Sequence, residues 1–363
     1  MRDVPPGPPP APGTAPAPGT APASGPPPAP GTAPVPGTSD APDAARTAPG
    51  DGRTGVVVIT RDRRERLLHT LERLTALPER PPVVVVDNAS SDGTARAVRE
   101  RFPQVRLLTP GRNLGAVGRN LGARALPTPY VAFSDDDSWW EPGALARAAD
   151  LLDAHARLAL VAAATRVGAE GLPDPLNEVL AASPLGTAPD LPGPSVLGFL
   201  ACACVVRKEA FLGVGGFHPV LHFGAEETLL AVDLSAGGWG VVHVPRVVAR
   251  HDPDPAQREG RPARVLRNEL LTAWMRRPLH RALARTAGLV RRARTDPQAR
   301  RALVGTARRL PAALAARRAV PARVEHRIRL LEAASRPGPG REAAGAPTAG
   351  GAPPRTPEDR SDR

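Results

Sequence analysis

The sequence predicts an α/β fold, a mostly parallel sheet sandwiched by helices with a C-terminal helical extension, and three observations carry that expectation. Two β-branched runs, Gly55-Val-Val-Val-Ile-Thr60 and Val83-Val-Val-Val-Asp87, flank a segment in which Leu67, Leu68, Leu71, Leu74 and Leu77 recur at helical spacing. Near-continuous apolar strands joined by a helix belong to a parallel sheet covered on both faces. Beyond residue 263 the pattern changes to long segments of Leu, Ala and Arg.

The ends of the 363-residue chain read differently. Residues 1–53 are dominated by Pro, Ala, Gly and Thr, with a repeated Ala-Pro-Gly-Thr-Ala-Pro unit. Too few bulky apolar side chains are present there to build a core, so a disordered, partly polyproline-like tail is expected. Residues 336–363 are similar. Between them lie a sheet domain, 54–262, and a basic helical extension, 263–335. The start of the chain offers no apolar block of the kind a signal peptide needs, and no stretch reaches the roughly 18 apolar residues of a membrane span. A cytoplasmic protein is expected, with peripheral contact at the inner membrane face as an option raised by charge. The formal net charge of +12 is concentrated in residues 264–329. Such an excess suits an anionic partner: lipid, nucleic acid or a phosphorylated substrate. The bland alternative is amphipathic helices whose arginine stems cover apolar surface. Cys202 and Cys204, two apart, are expected to be buried thiols.

In chain order, a strand over 55–60 is followed by a helix over 61–77, stopped by Pro78, Pro81 and Pro82, and then by a strand over 83–87. A turn-rich loop, Asn88-Ala-Ser-Ser-Asp-Gly-Thr94, precedes a helix over 95–101 and a strand over 105–109. The glycine-rich segment 111–122 leads into a helix ending near Leu126. It follows the third strand instead of the first, which argues against a dinucleotide fingerprint. Tyr130-Val-Ala-Phe-Ser-Asp-Asp-Asp reads as a strand ending in three carboxylates, and Pro142 as the N1 proline of a helix reaching residue 155. A strand over 158–165 and an irregular region over 166–193 come next. Residues 196–207 read as a strand pair or a bulged strand, 208–212 as a helical turn, and 213–217 as a tight turn packing Phe217. A helix opens at Phe223, strands cover 240–245 and 247–251, and helices such as 265–275 and 279–293 complete the chain.

Asp135, Asp136 and Asp137 are hard oxygen donors suited to Mg²⁺ or Mn²⁺, and at a strand tip they suggest a metal–diphosphate site; an acidic solvated turn is the alternative. Glu226 and Glu227 also read as ordinary acids of a first helical turn. Trp139 and Trp140 offer a sugar platform or packed core residues.

Taken together and in order, several motifs resemble family 2 of the glycosyltransferases, inverting nucleotide-sugar transferases of GT-A (Rossmann-like) fold. They are Val-Ile-Thr60-Arg-Asp-Arg63, Val-Asp87-Asn-Ala-Ser-Ser-Asp92-Gly-Thr, Arg112-Asn-Leu-Gly with Gly-Arg119-Asn120-Leu-Gly, Phe-Ser-Asp135-Asp-Asp137, Gly215-Gly-Phe217 with Gly224-Ala-Glu226-Glu227, and the later His251. The resemblance spans residues 55–255. It implies a nucleotide-diphospho-sugar donor and a hydroxyl acceptor on a sugar, a lipid-linked sugar or a small molecule. The donor would be held by Thr60, Arg63, Asp87, Asn88, Asp92, Arg119, Asn120, Asp135 and Asp136, with Asp87 accepting from the base, of uracil or thymine type, and Arg119 lying along the diphosphate. A divalent metal, Mn²⁺ or Mg²⁺, would be held by Asp135, Asp137 and His251, with Asp135 and Asp136 also reaching the ribose and metal-bound waters. The general base would be Glu227, with Glu226 as second candidate, where the family usually has Asp. The rival reading is a non-catalytic protein that binds polyanions or nucleic acid through its arginine-rich helices. The absence of interleaved aromatics there speaks against nucleic acid.

Overall fold

In the computed structural model, residues 50–253 and 260–335 are described. Residues 1–49 and 336–363, which hold nearly all of the two expected tails, lie outside them. Strands β1 (Thr54–Thr60), β2 (Val83–Asp87), β3 (Arg106–Leu108) and β4 (Tyr130–Asp135) are joined through helices α1 (Arg64–Thr75), α2 (Thr94–Arg101) and α3 (Val117–Ala125). All four strands run parallel, in the spatial order β3-β2-β1-β4. The order reverses between β1 and β4, which opens a crevice at the carboxyl ends of those strands.

Strand side chains alternate between two cores, as the pleat requires. Val56, Val58, Val83, Val85 and Ala132 pack under α1 and α2, whereas Val57, Ile59, Val84, Val86 and Phe133 face the opposite layer. On that second face α3 lies close to the sheet: a Cβ on Gly122 would meet Val57 Cγ1 at 2.4 Å.

The rest of the sheet comprises β5 (Ser138–Trp140), β6 (Leu158–Val167), β7 (Leu172–Pro173), β8 (Cys204–Arg207) and β9 (Gly240–His251). Antiparallel β8 bridges β4 to β6, and β9 pairs with β6 in parallel and with β5 in antiparallel fashion. Helices α4 (Ala144–Ala154), α5 (Leu176–Ala181), α6 (Lys208–Gly213) and α7 (Glu226–Ala236) follow within this half. The extension is α8 (Arg261–Arg276), α9 (Leu279–Arg292), α10 (Pro297–Ala315) and α11 (Ala322–Ala334). It joins the sheet domain through a core of Leu221, Leu229, Leu271, Met275 and Ala313. None of the described helices is long and apolar enough to cross a membrane.

Several local expectations are corrected. Gly143, at φ 80°, takes the N-cap of α4, so Pro142 precedes the helix instead of starting it. Only residues 204–207 of the apolar run 196–207 form a strand, because Ala201–Ala203 winds into a 3₁₀ turn; a short buried apolar run does not reveal which it is. The region 166–193 contains a hairpin partner, β7, and the short α5, where Asn177 pairs its amide with both backbone groups of Thr165. Helix α7 starts at Glu226 because His222, Gly224 and Ala225 hold φ of 66°, 92° and 58°. β9 is one strand, bulged where Pro245 interrupts its ladder.

Candidate active site

Register brings the acids together. Thr60 is the Cα partner of Asp87, and Ile59 that of Asp135, so the tips of β1, β2 and β4 meet at the crevice. Asp137 lies just beyond, and the pairing of Ser138 with His251 carries the end of β9 alongside it.

The triple aspartate is no solvated turn: Asp136 is 5% and Asp137 8% exposed. Each acid has its own partners. Asp135 pairs with Arg119. Asp136 accepts from Thr60 Oγ1 at 2.9 Å and lies 3.0 Å from Arg63 Nη1, which also donates to Asp137 Oδ2 at 3.1 Å. His251 Nε2 lies 3.6 Å from Asp137 Oδ1. Burial pushes the Asp136 carboxyl up to about 7; Arg63 opposes the rise, and Asp137 and Asp135 add to it. Burial and the neighbouring Asp135 raise Asp137 too. A cation bound beside these carboxyls would favour their ionised forms.

Whether a divalent ion fits is a question of donors. Asp137 and His251 present an oxygen and a nitrogen side by side, but among the described residues no three His, Cys, Asp or Glu groups converge to hold an ion unaided. Mg²⁺ ordinarily takes one or two carboxylates and completes its shell with water and substrate phosphates. The donor set therefore fits an ion shared with a diphosphate.

Arg119, at 1% exposed, sits at the centre of the second face. Its guanidinium stacks 5.4 Å from the Phe217 ring and lies 3.7 Å from Glu226 Oε1. Burial works against its charge, and Asp135, Glu226 and Glu227 overcome that to raise its pKa. Its Nε and Nη1, and Glu226 Oε2, are buried without a hydrogen-bond partner. Burial of such groups costs free energy unless a partner arrives, which is what a bound anion supplies to the guanidinium.

Glu226 and Glu227 stand at the start of α7. Glu226 faces inward; burial, and next the charge of Glu227, push it up to about 8. Glu227 is half-buried, and burial raises it as well, against hydrogen bonds from its own and the Ala201 backbone N–H. The other sequence-predicted residues brace the site. Asn88 clamps Gly115 and Leu114, its Oδ1 accepting from Leu114 N at 3.1 Å and its amide donating to Gly115 O at 3.3 Å. Asn120 spends its side chain on the Gly215–Phe217 turn, donating to Phe217 O and accepting from Phe217 N, both at 2.9 Å. Asp92 accepts from Arg64 N and Thr94 N, each at 3.0 Å, and so ties the loops after β1 and β2 together. Asp87 Oδ1 accepts from Ser90 N at 2.9 Å.

Trp140 is buried core, whereas Trp139 meets His69 edge-on at 5.7 Å and, with Asp136, Asp137 and Asp252, lines a cleft of about 330 Å³. Cys202 and Cys204 are free and buried, and burial raises both thiols. Two contributors carry no signal in the sequence. The Ala201 N–H is a backbone group, and Asn268 of α8 lies outside every motif. Fully buried, the Asn268 amide donates to Leu221 O at 3.0 Å and Phe223 O at 3.1 Å, and it also bonds Gly224 O, gripping the positive-φ loop before Glu226.

Comparison with known proteins identifies the scaffold. Residues 55–214 match the model of the family described as Glycosyl transferase family 2. An N-acetylglucosaminyl-diphospho-decaprenol L-rhamnosyltransferase of Mycobacterium tuberculosis is 31% identical over 238 residues, which cover 54% of this chain and 75% of that protein. Among solved structures, a mannosyltransferase from Pyrobaculum calidifontis in complex with GDP-Man and Mn²⁺ aligns at 21% identity and TM-score 0.46, over 80% of this chain and 83% of that one. GalNAc-T7 with UDP, GalNAc and Mn²⁺ aligns at 14% identity and TM-score 0.46 over 61% of this chain, which spans about half, 47%, of that one. By its family-model match and by its likeness over three quarters of the rhamnosyltransferase, the chain belongs to family 2 of the glycosyltransferases.

Proposed function

We propose that the protein moves a sugar from a nucleoside diphosphate, of UDP or dTDP type, to an acceptor hydroxyl with inversion at the anomeric carbon. The observation that carries this reading is Arg119: a buried guanidinium with two nitrogens, Nε and Nη1, left without a hydrogen-bond partner at the crevice between the β4 acids and α7. That arrangement suits a diphosphate, whose oxygens accept in the plane of the fork. Asp87 would take the base imide N–H. Asp137 and His251 would hold a divalent ion shared with the diphosphate, and Asp135, paired with Arg119, would reach that ion's bound water. When bound, that ion supplies Lewis-acid neutralisation of charge on the departing diphosphate.

Glu227 would take the acceptor proton as the hydroxyl oxygen attacks the anomeric carbon from the face opposite the leaving group. A positioned base of this kind contributes roughly 10²–10⁴ in rate. The Ala201 backbone N–H favours its ionised form. Glu226 is pushed up to about 8, chiefly by burial, and the charge of Glu227 adds to that rise, so a proton held on Glu226 relieves the repulsion between the two acids and favours Glu227 as the member that acts. The M. tuberculosis relative supports a diphospho-lipid-linked sugar as the acceptor class and a deoxyhexose as the donor sugar.

Glu227→Gln is the decisive variant. Nucleotide binding, measured by calorimetry with Mn²⁺, is expected to survive while sugar transfer falls at least 100-fold. Full turnover by that variant would overturn the assignment of the base.

A further inference from the structure

Helix α9 is packed the wrong way round for an ordinary surface helix. Its large apolar side chains point outward: Leu279 is 53%, Leu283 56% and Val290 50% exposed, whereas Ala282 is its buried residue. A helix that merely covers a core does the opposite. At 3.6 residues per turn, Leu279, Leu283, Ala287 and Val290 fall within roughly 80° of the helix circumference, one continuous stripe.

The charge that α9 and its following turn contribute is nearly all of one sign, with Glu332 of α11 pairing Arg285 on the face away from the stripe. Asp296 is the one acid between residues 270 and 324, a stretch with fourteen arginines. That acid is already engaged, capping α10 through Gln298 N at 2.7 Å and pairing with Arg292 at 2.7 Å. Arg291 and Arg294, exposed at the C-terminal end of α9, have no ion-pair partner among the described residues. By contrast Arg276 and Arg277 are bound into the body by Asp233 and by Glu325 and Glu332.

We propose that α9 docks the protein on an anionic lipid bilayer, with Leu279, Leu283 and Val290 entering the headgroup boundary and Arg291 and Arg294 meeting lipid phosphates. An amphipathic helix with an apolar stripe beside arginines lies in such an interface, and basic residues near an anionic leaflet strengthen its hold. A second copy of this chain fits less well, since it would bring one arginine cluster against another. Nucleic acid would use the arginines but leave the stripe in water. The docking does not rest on the sugar-transfer reading, because it concerns binding without turnover. The stripe is nevertheless connected to the site: Thr286 of α9 accepts from Trp274 Nε1 of α8 at 3.1 Å, and Asn268 on the same helix holds the loop before Glu226.

Flotation of the purified full-length chain with vesicles tests it. Co-flotation is expected with phosphatidylglycerol–phosphatidylcholine vesicles and not with phosphatidylcholine alone. Leu283→Glu combined with Val290→Glu is expected to cut bound protein at least fivefold, and Arg291→Glu with Arg294→Glu to do so on anionic vesicles. All four positions are exposed, and unchanged melting of the variants shows that they fold. Absence of flotation with anionic vesicles, or undiminished flotation of the Leu283→Glu, Val290→Glu protein, would overturn the proposal. So would a dimer in light scattering that the same pair of substitutions dissolves, or flotation seen only after removal of residues 336–363, because the stripe would then already be covered.

Discussion

Arg119 Nη1 lies 3.7 Å from Glu226 Oε1 inside the crevice, while the ionised form of the next residue, Glu227, is favoured by the backbone N–H of Ala201. Two adjacent acids of one helical turn thus have separate surroundings. Glu226 is pushed from 4.5 up to about 8, chiefly by burial. A folded-state value above the unfolded one means that stability from this group is complete below about 4.5 and is lost as pH climbs through 8. Glu226→Gln should melt several degrees above the parent at pH 8.5 and show no such gain at pH 4.5, as differential scanning calorimetry would reveal. It should keep more than a tenth of the transfer activity, unlike Glu227→Gln. The acid limb of the parent's kcat/KM profile should fall at a pH above 4.5, since burial raises Glu227 too.

Asp137 is the acid shared by Arg63 and His251. Asp137→Asn keeps the shape and removes the charge that would attract a cation. Titration of UDP with and without Mn²⁺ should show the metal-dependent gain in affinity lost by tenfold or more, with metal-free affinity changed much less.

Asn268 acts as a donor to three carbonyls of one loop. Asn268→Ala leaves buried acceptors unpaired, at about 1–3 kcal/mol. Asn268→Asp should be no better, because an ionised carboxylate cannot donate. Both variants should lower kcat for transfer by more than they change the donor KM, as the loop carries Glu226 and Glu227 and not the base pocket. A merely structural asparagine would lower the melting temperature and leave that ratio alone.

Gly115, at φ +59°, leaves no room for a side chain: an added Cβ would fall 1.8 Å from His222 Nδ1. The same contact is clamped by the Ala116 N–H donating to His222 O at 2.7 Å. Gly115→Ala should therefore lower the melting temperature and also weaken transfer, since it pushes the loop before α7 away from α3. Gly111→Ala, at φ +73° but in open space, serves as the control and should spare activity.

The parallel half of the fold was legible because its signals are local. Valine runs, leucine spacing and the proline stops place β1 through β4 and their helices to within a few residues. The antiparallel half was less so: β5 is set by β9, far along the chain, while the two-residue β7 and the 3₁₀ turn at Ala201–Ala203 are too short to leave a periodic signal. Among site residues, the acids announced themselves as a run at a strand tip. What the sequence could not show is how they divide. Asp135 turns to Arg119 and Asp136 to Thr60 and Arg63, and those choices depend on which face of the sheet each neighbour occupies. Asn88 and Asn120 sit in the expected motifs, yet their side chains bond backbone, a distinction that only three-dimensional packing makes.

The bulge in β9 has a further meaning for how this chain tolerates change in length. Upstream of it, Gly240 to Val244 are anchored by β6, and downstream His251 is held opposite Ser138 by β5. Side chains alternate faces along a strand, so deleting one residue after the bulge would turn His251 away from Asp137 and carry the buried Ala249 to the other face with it. Pro245 and its neighbours already disrupt the ladder, so a length change there is absorbed before it reaches the crevice. Insertions and deletions should accordingly accumulate at the bulge, and the four residues that follow it should keep their count.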